Sequence, residues 1–507
     1  MAPFILLDDA RSGAPARLFS GPAEIVRADR PEEVAPALER LRGARHYVAG
    51  FVAYEAACAL EPSLAPLYRA PGLPLLWFGL FDRCEAVDAE AWLPDPAGAW
   101  AGPPAPDIDF NGYTARVAGV QDAIRAGTVY QANLTFPATI RIAGDPRALY
   151  AGLRRRALAP HGALVWTGED WLLSLSPELF FERMGDRVTT RPMKGTAAPD
   201  ADPDTLRLDP KQRAENLMIV DLLRNDLARV AAPGSVAVPE LFAVERYPTV
   251  QQMVSTVVAD LAPGRDTIDL IGALFPCGSI TGAPKLSAVR LIHFNENAPR
   301  GVYTGMIGCI EPGGDASFNV AIRTLHMAAG ATIARLGLGS GIVADSDALS
   351  EWDECLAKGA FVPSDRSFDL IETMGFDPQD GLLRLDAHLA RMKASADALG
   401  FAFDRHDARN ELQAATFRLR ERSRVRLLAS RAGRYAIEVR PLGATDEPVD
   451  VAVVPLPVPV DDFRLRHKTT DRAFYDAPRR AAGTWEVVFT DANGFLTEGS
   501  FTNVYIK

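Results

Sequence analysis

Three strand-like runs, Ala163–Thr167, Trp171–Leu175 and Leu179–Glu182, follow one another with only a few residues between them. Similar runs recur at Tyr47–Tyr54, Val129–Leu134 and Phe318–His326. Many adjacent strands with few crossover helices predict antiparallel sheets with helices packed outside, an α+β architecture. Helical periodicity predicts the covering helices at Pro31–Leu41, Tyr113–Ala126, Lys211–Val230, Lys285–Asn295, Ser350–Phe361 and Leu385–Leu399. The third of these has a strong start signal, because Asp209 suits the N-cap and Pro210 the first helical position.

At 507 residues the chain is too long for one ordinary core. The Pro/Gly/Ala stretch Pro94–Pro106 reads as a surface loop or linker. A second junction falls at Pro363–Ser367. The expected division is therefore 1–105, 106–362 and 363–507. Beyond the second junction, further strands are expected at Phe368–Thr373, Val425–Ala429, Val451–Pro455, Trp485–Thr490 and Phe501–Ile506.

The net charge of −11 argues against nucleic acid or an anionic membrane surface as partner. The five cysteines, Cys58, Cys84, Cys277, Cys309 and Cys355, have no zinc or redox spacing and read as reduced thiols in a cytoplasmic protein. The apolar run Phe4–Leu7 is too short for a signal peptide, and no stretch has the length of a membrane helix.

Reactive side chains gather between Ser176 and Glu354. Lys194 lies in Arg191-Pro192-Met193-Lys194-Gly195-Thr196, between a proline-stiffened approach and a glycine turn. To act as a nucleophile it must be neutral, which needs a desolvated pocket or a cationic neighbour. Glu178 in Ser-Pro-Glu is a candidate general acid if burial raises its pKa. Glu351 and Glu354 share one helix face, and Glu215 lies on another helix. Carboxylates converging from two helices suit a hard divalent ion. Singly, each of these residues has an ordinary reading as a solvated surface group.

Taken in order, Ser-Pro-Glu, Arg-Pro-Met-Lys-Gly-Thr, Glu-Asn-Leu-Met-Ile-Val-Asp-Leu-Leu-Arg-Asn-Asp, Ile-Thr-Gly-Ala-Pro-Lys and Gly-Ile-Val-Ala-Asp-Ser, followed by Glu351 and Glu354, resemble the chorismate-utilising enzymes. That family includes anthranilate, isochorismate, salicylate and aminodeoxychorismate synthases. The resemblance is strong over Asp109–Val362 and looser over the first 93 residues. It implies a sandwich core of antiparallel sheets. Its members usually carry alanine where Lys194 stands, and lysine marks the aminodeoxychorismate synthase component I branch. The resemblance then implies Mg²⁺ held by Glu215 and Glu354 with Glu351 in support. It implies chorismate contacts from Ser279, Tyr303, Arg323 and Gly341, a Lys194 adduct, and Glu178 as the acid for the departing hydroxyl. Ammonia would come from a glutaminase partner, since the chain shows no glutaminase signature, and the product would lead to 4-aminobenzoate and folate. Anthranilate synthase chemistry and a non-catalytic, partner-recruiting subunit are the alternatives. One departure stands out. Many relatives have histidine just before Leu-Val-Ser, whereas this chain has Gln252, which cannot act as a base at neutral pH.

Residues 368–507 resemble the class IV pyridoxal-phosphate enzymes, the branched-chain aminotransferase and aminodeoxychorismate lyase class. The matching pieces are Phe-Asp-Leu-Ile-Glu-Thr, Leu-Asp-Ala-His-Leu-Ala-Arg, His-Lys-Thr-Thr-Asp-Arg and Leu-Thr-Glu-Gly-Ser-Phe-Thr-Asn-Val. The resemblance implies a Schiff base on Lys468, Glu498 at the pyridine nitrogen and Arg391 on the phosphate. The class continues beyond the point matching Lys507, so this domain is expected to lack its C-terminal section. A lyase activity releasing 4-aminobenzoate and pyruvate is the implied second function.

Overall fold

A computed structural model describes residues 1–507 apart from 12, 198–199, 247–250, 444–447 and 506–507. Residues 1–93, 104–140 and 150–362 make one compact unit, and residues 94–103, 141–149 and 363–507 make a second.

Two large sheets build the first unit. One runs in the order Gly282–Ala283, Gln131–Ala143, Ile333–Ile342, Thr324–Ala328, Asp170–Ser176, His161–Trp166, Phe4–Asp8, Ala16–Ser20, Glu85–Val87. The other runs Met193–Ala197, Gln251–Asp260, Arg187–Thr190, Leu179–Met184, Ala316–Val320, Met306–Ile310, Tyr47–Val52, Leu76–Phe81, Glu24–Ala28. Neighbours such as 161–166 with 170–176 and 47–52 with 76–81 pair antiparallel.

The two-residue period of a strand explains the layering. On Leu76–Phe81, Trp77 and Phe81 point into a core shared with Ile5, Phe19, Val165 and Leu172 of the other sheet. Leu76, Phe78 and Leu80 point the opposite way, toward Val34, Leu38 and Leu41 of the helix Pro31–Leu41 and Ile268 and Ile271 of the helix Thr267–Leu274. Helices also cover the first sheet, where Tyr113 of the helix Phe110–Arg125 and Trp352 of the helix Ala348–Lys358 pack on Phe136 of the strand Gln131–Ala143. Each fully buried Leu or Phe contributes about 1.5–3 kcal/mol.

The chain crosses between the two sheets twice at the same level. It leaves the first sheet after Ser176 and enters the second at Leu179. It returns between Val320 and Thr324. The run Phe318–His326 reads in sequence as one strand. It is two strands in different sheets, with Arg323 between them in the left-handed region at φ 49°.

In the second unit, the sheet Gly381–Leu382, Leu370–Asp377, Ser423–Ala429, Tyr435–Pro441 is covered by the helices Leu385–Leu399 and Arg405–Thr416. Val451–Pro455 and Glu486–Thr490 pair in parallel, and Leu496–Gly499 joins them antiparallel. The strand expected at Phe501–Ile506 is not formed over Phe501–Tyr505, and Ile506 lies outside the described residues. The cause is Glu486, whose carboxylate accepts the backbone N–H groups of Ser500, Phe501 and Thr502 at 3.0, 3.1 and 2.9 Å. Those donors are no longer available to a ladder.

The expected linker Pro94–Pro106 is not a free loop either. Trp100 is 2% exposed and packs with Phe368 and Phe463 in the core of the second unit. A proline- and glycine-rich composition hid one large aromatic anchor. Trp100→Ala should destabilise the second unit by about 3–5 kcal/mol. Urea unfolding followed by circular dichroism measures this, and a loss below about 1 kcal/mol would mean that the stretch is a linker after all.

Candidate active site

Where the chain crosses between sheets, a cavity of about 290 Å³ opens. Lys194, Glu178, Ser279, Tyr303, Arg323, Gly341, Glu215, Glu351 and Glu354 all line it. Residues separated by up to 176 positions therefore converge on one space.

Glu178 sits on the first crossing and Arg323 on the second. The crossings are stitched together: Val320 N–H donates to the Glu178 carbonyl at 3.1 Å, and Leu175 N–H donates to the Arg323 carbonyl at 3.0 Å. The Ser176 hydroxyl donates to the Val320 carbonyl at 2.6 Å. A non-glycine residue at positive φ is held there only when its surroundings fix it, and these bonds supply that constraint.

Lys194 follows Met193 on a strand whose register with Gln251–Asp260 shifts between Met193 and Thr196. Gly195 adopts φ 90°, which a side chain would resist. Such a bulge re-aims a side chain, and here the lysine joins the cavity wall. Burial lowers its pKa against the pull of the Glu178 charge, and the ammonium of Lys358 lowers it further. Glu178 is 5% exposed. Burial raises its pKa, opposed by the Ser279 hydroxyl and by Lys194 and Lys358. Both shifts favour the neutral forms, an amine beside a carboxylic acid.

Glu215 projects from the helix Pro210–Ala228, whose N-cap Asp209 accepts from the N–H groups of Lys211 and Gln212 at 2.8 and 3.0 Å. Burial raises the Glu215 pKa; Lys194 and Lys211 oppose this, and the charges of Glu351 and Glu354 add to it. Glu351 accepts from the Ser346 hydroxyl at 2.8 Å, and Glu354 pairs with Lys358 at 2.6 Å. Among the described residues no group of three His, Cys, Asp or Glu side chains is drawn together as a metal cluster. The donor set nevertheless fits a hard divalent cation in kind, since the carboxyl groups of Glu215, Glu351 and Glu354 all line this cavity.

Gly341 leaves room where a Cβ would stand 2.2 Å from Gln131 Nε2. Gln252 also lines the cavity. Sequence reasoning missed Lys211, Gln212, Gln131, Asn133 and Lys358 on the wall. Lys358 was findable, since it lies four residues after Glu354 on the same helix face.

Arg300 was also missed. Its side chain is 3% exposed and pairs with Glu296 at 2.7 Å. It also donates to the carbonyls of Ile280 and Asn133 at 3.0 and 2.7 Å, both on cavity-lining residues. The backbone N–H groups of Arg300 and Gly301 donate to buried Glu55 at 2.7 and 3.0 Å. These contacts fix the segment that carries Tyr303. A single buried arginine in Pro-Arg-Gly has no periodic signature. Lys285 has a structural role, bridging Asp226 at 2.5 Å and the Leu274 carbonyl at 2.9 Å.

In the second unit Lys468 lines a separate cavity of about 290 Å³. Arg391 and Glu498 are not among the residues lining it. Arg391 clasps Glu372 with two bonds of 2.6 Å, and Glu498 accepts from the Tyr475 hydroxyl at 2.8 Å.

Residues 3–363 match the chorismate binding enzyme family. The chain belongs to that family. Residues 369–507 match the amino-transferase class IV family. A Klebsiella aerogenes aminodeoxychorismate synthase component 1 is 43% identical over 254 residues, 48% of this chain and 56% of the relative. The chain thus spans about half the length of that relative. A Streptomyces globisporus 2-amino-4-deoxychorismate synthase is 34% identical over 397 residues, 70% of this chain and 78% of the relative. Anthranilate synthase component I from Streptococcus pneumoniae superposes with a TM-score of 0.58 at 25% identity, covering 71% of this chain and 91% of that one. Among the described residues no helix is long and apolar enough to cross a membrane.

Burial pushes the Glu55 pKa up to about 7 from an ordinary 4.5. The folded chain therefore binds this proton more tightly than the unfolded chain does. Stability should fall as pH rises from about 4.5 to about 7 and level off above that. Glu55→Gln should remove that part of the slope in urea titrations at stepped pH; an unchanged slope would mean that Glu55 does not titrate in this window.

Proposed function

We propose that this chain is the chorismate-converting component of an aminodeoxychorismate synthase in the cytoplasm. The observation that carries the reading is Lys194 in one cavity with Glu178, both pushed toward neutrality. Other members of the family usually carry alanine there, which leaves room for water or ammonia to attack ring carbon 2. Here the neutral amine of Lys194 is the nucleophile.

Lys194 Nζ adds to ring carbon 2 of chorismate, the ring double bonds shift, and the 4-hydroxyl departs. Neutral Glu178 gives its proton to that oxygen, so water leaves. Ammonia then adds at carbon 4, the double bonds shift back, and the lysine amine is expelled. The net change is chorismate plus ammonia to 4-amino-4-deoxychorismate plus water. Arg323 offers a planar fork for a substrate carboxylate, and Ser279, Tyr303 and Gly341 shape the wall around the ring. Glu215 and Glu354, with Glu351, would hold Mg²⁺, which when bound supplies Lewis-acid neutralisation of substrate carboxylate charge. Ammonia is supplied by a separate glutaminase chain, a reading supported by the component 1 name of the relatives.

A second reading puts the amine on carbon 2, and the name of the Streptomyces globisporus 2-amino-4-deoxychorismate synthase favours it. For the class IV region, aminodeoxychorismate lyase activity is the reading that the family match supports. Lys468, Arg391 and Glu498 do not line one cavity.

Product analysis with chorismate, Mg²⁺ and ammonium salt separates the readings. The native chain should give a 4-amino product, and Lys194→Ala should lose it by at least about 10²-fold or divert it to carbon-2 products. A 2-amino product from the native chain, or an unaffected variant, would reject the lysine mechanism. With the native chain, kcat/KM should rise with pH as Lys194 loses its proton and fall as Glu178 does. Glu178→Gln should abolish the descending limb along with most of the rate. Adding a chelator should stop turnover, and Mg²⁺ should restore it; turnover that persists in excess chelator would exclude the carboxylate-held cation.

A further inference from the structure

Behind the wall formed by Tyr303 lies another cavity of the first unit, about 270 Å³ in volume and close in size to the one that holds Lys194. The two have only Tyr303 and Gly337 in common among their described lining residues. The tyrosine ring lies against that glycine, where a Cβ would stand 2.1 Å from Tyr303 Cδ1. Ring and glycine backbone thus form a partition, and the lysine mechanism leaves the far side without a task.

The charges on that far side balance with one exception. Asp107 pairs with Arg335 and accepts from the Thr139 hydroxyl at 2.9 Å. Glu296 pairs with Arg300 at 2.7 Å, and His326 meets Asp170 at 2.8 Å. Arg116 has neither an ion pair nor a hydrogen bond from its guanidinium among the described residues. It lies on the helix Phe110–Arg125, three residues after buried Tyr113 and four before buried Val120. That places it toward the inward side, half-buried. A charge withdrawn from water is normally paired. Thr135 is a second loose end. It is 3% exposed and lines the same cavity, and its hydroxyl has no hydrogen-bond partner among the described residues. Its backbone N–H donates to Glu296 at 2.8 Å, which fixes the residue in place. Phe136, Val302 and Leu336, all buried, give the cavity apolar walls.

We propose that this cavity binds a small aromatic monocarboxylate, with its carboxylate on Arg116 and Thr135 and its ring against Tyr303 and Phe136. One uncompensated cation calls for one negative charge. A guanidinium fork takes both oxygens of a carboxylate, and a hydroxyl can donate to the same group. Aromatic and apolar walls suit a flat ring, and ring pairs gain beyond the area they bury. The ligand would meet Tyr303 on the face turned away from Lys194. Its binding needs nothing in the neighbouring cavity, so the site does not depend on the synthase reading.

Titration calorimetry on the full chain without Mg²⁺ tests this with three probes: benzoate, benzamide with the same ring and no charge, and acetate with the charge and no ring. Benzoate should bind at least about tenfold more tightly than either of the others. Arg116→Gln should weaken it by about tenfold or more, and Thr135→Val, which removes the hydroxyl, by about threefold or more. Arg323→Gln, in the neighbouring cavity, should bind benzoate as the parent does. Without ligand, Arg116→Gln should melt no lower than the parent, because an unpaired, half-buried cation has been removed. Benzoate should raise the melting temperature of the parent and of Arg323→Gln but not that of Arg116→Gln. Benzoate binding no better than benzamide or acetate, binding that survives Arg116→Gln or Thr135→Val undiminished, or a lowered melting temperature in Arg116→Gln would each overturn the proposal. Binding lost in Arg323→Gln would put the benzoate beside Lys194 instead and overturn it as well.

Discussion

The site depends on one constraint, the double crossing of the chain between two stacked sheets. At Pro177-Glu178 and at Ala321–Arg323 the backbone leaves one ladder before joining the other. Sheet hydrogen bonding is interrupted at one level, which leaves a cavity between well-packed layers. Hydrogen bonds between the two crossings keep that interruption rigid. A lysine and a carboxylic acid placed there lose water, and loss of water penalises each charge. Desolvation thus links the architecture to a lysine and a carboxyl group that are both pushed toward their neutral forms.

Several of the surrounding polar groups hold the site together. Buried ion pairs seldom add much net stability, because desolvation offsets their attraction. Glu296–Arg300 is better read through what it fixes: one guanidinium ties the Ile280 and Asn133 carbonyls to the segment leading to Tyr303. Asp226–Lys285 ties the end of the helix bearing Glu215 to the start of the helix Lys285–Asn295. Such contacts fix geometry in the way a site needs if its groups are to meet a substrate at once.

Several helices of the first unit were legible because their period is local, whereas strands such as Leu76–Phe81, Ala237–Arg246, Gln251–Asp260 and Ile333–Ile342 were not read from the sequence. The helices Pro31–Leu41 and Lys285–Asn295 lie where the apolar spacing puts them. The family motifs brought together nine site residues that no spacing rule links. What escaped was non-local. Phe318–His326 has strand propensity throughout, yet sheet-switching at Arg323 divides it. Trp100 vanished into a linker-like composition until its aromatic neighbours 268 residues later were in place. Arg300 and Glu486 act through backbone groups of distant residues, and a sequence does not display those partners. Lys358 shows the limit of a motif: attention to Glu351 and Glu354 obscured the cation one turn further on.

The most direct measurement is mass spectrometry of the chain quenched after mixing with chorismate and Mg²⁺ in the absence of ammonia. The covalent account predicts an adduct on Lys194 with the mass of chorismate less one water, absent in Lys194→Ala and discharged when ammonium salt is added. An unmodified Lys194, with carbon-4 product still forming once ammonia is supplied, would contradict it.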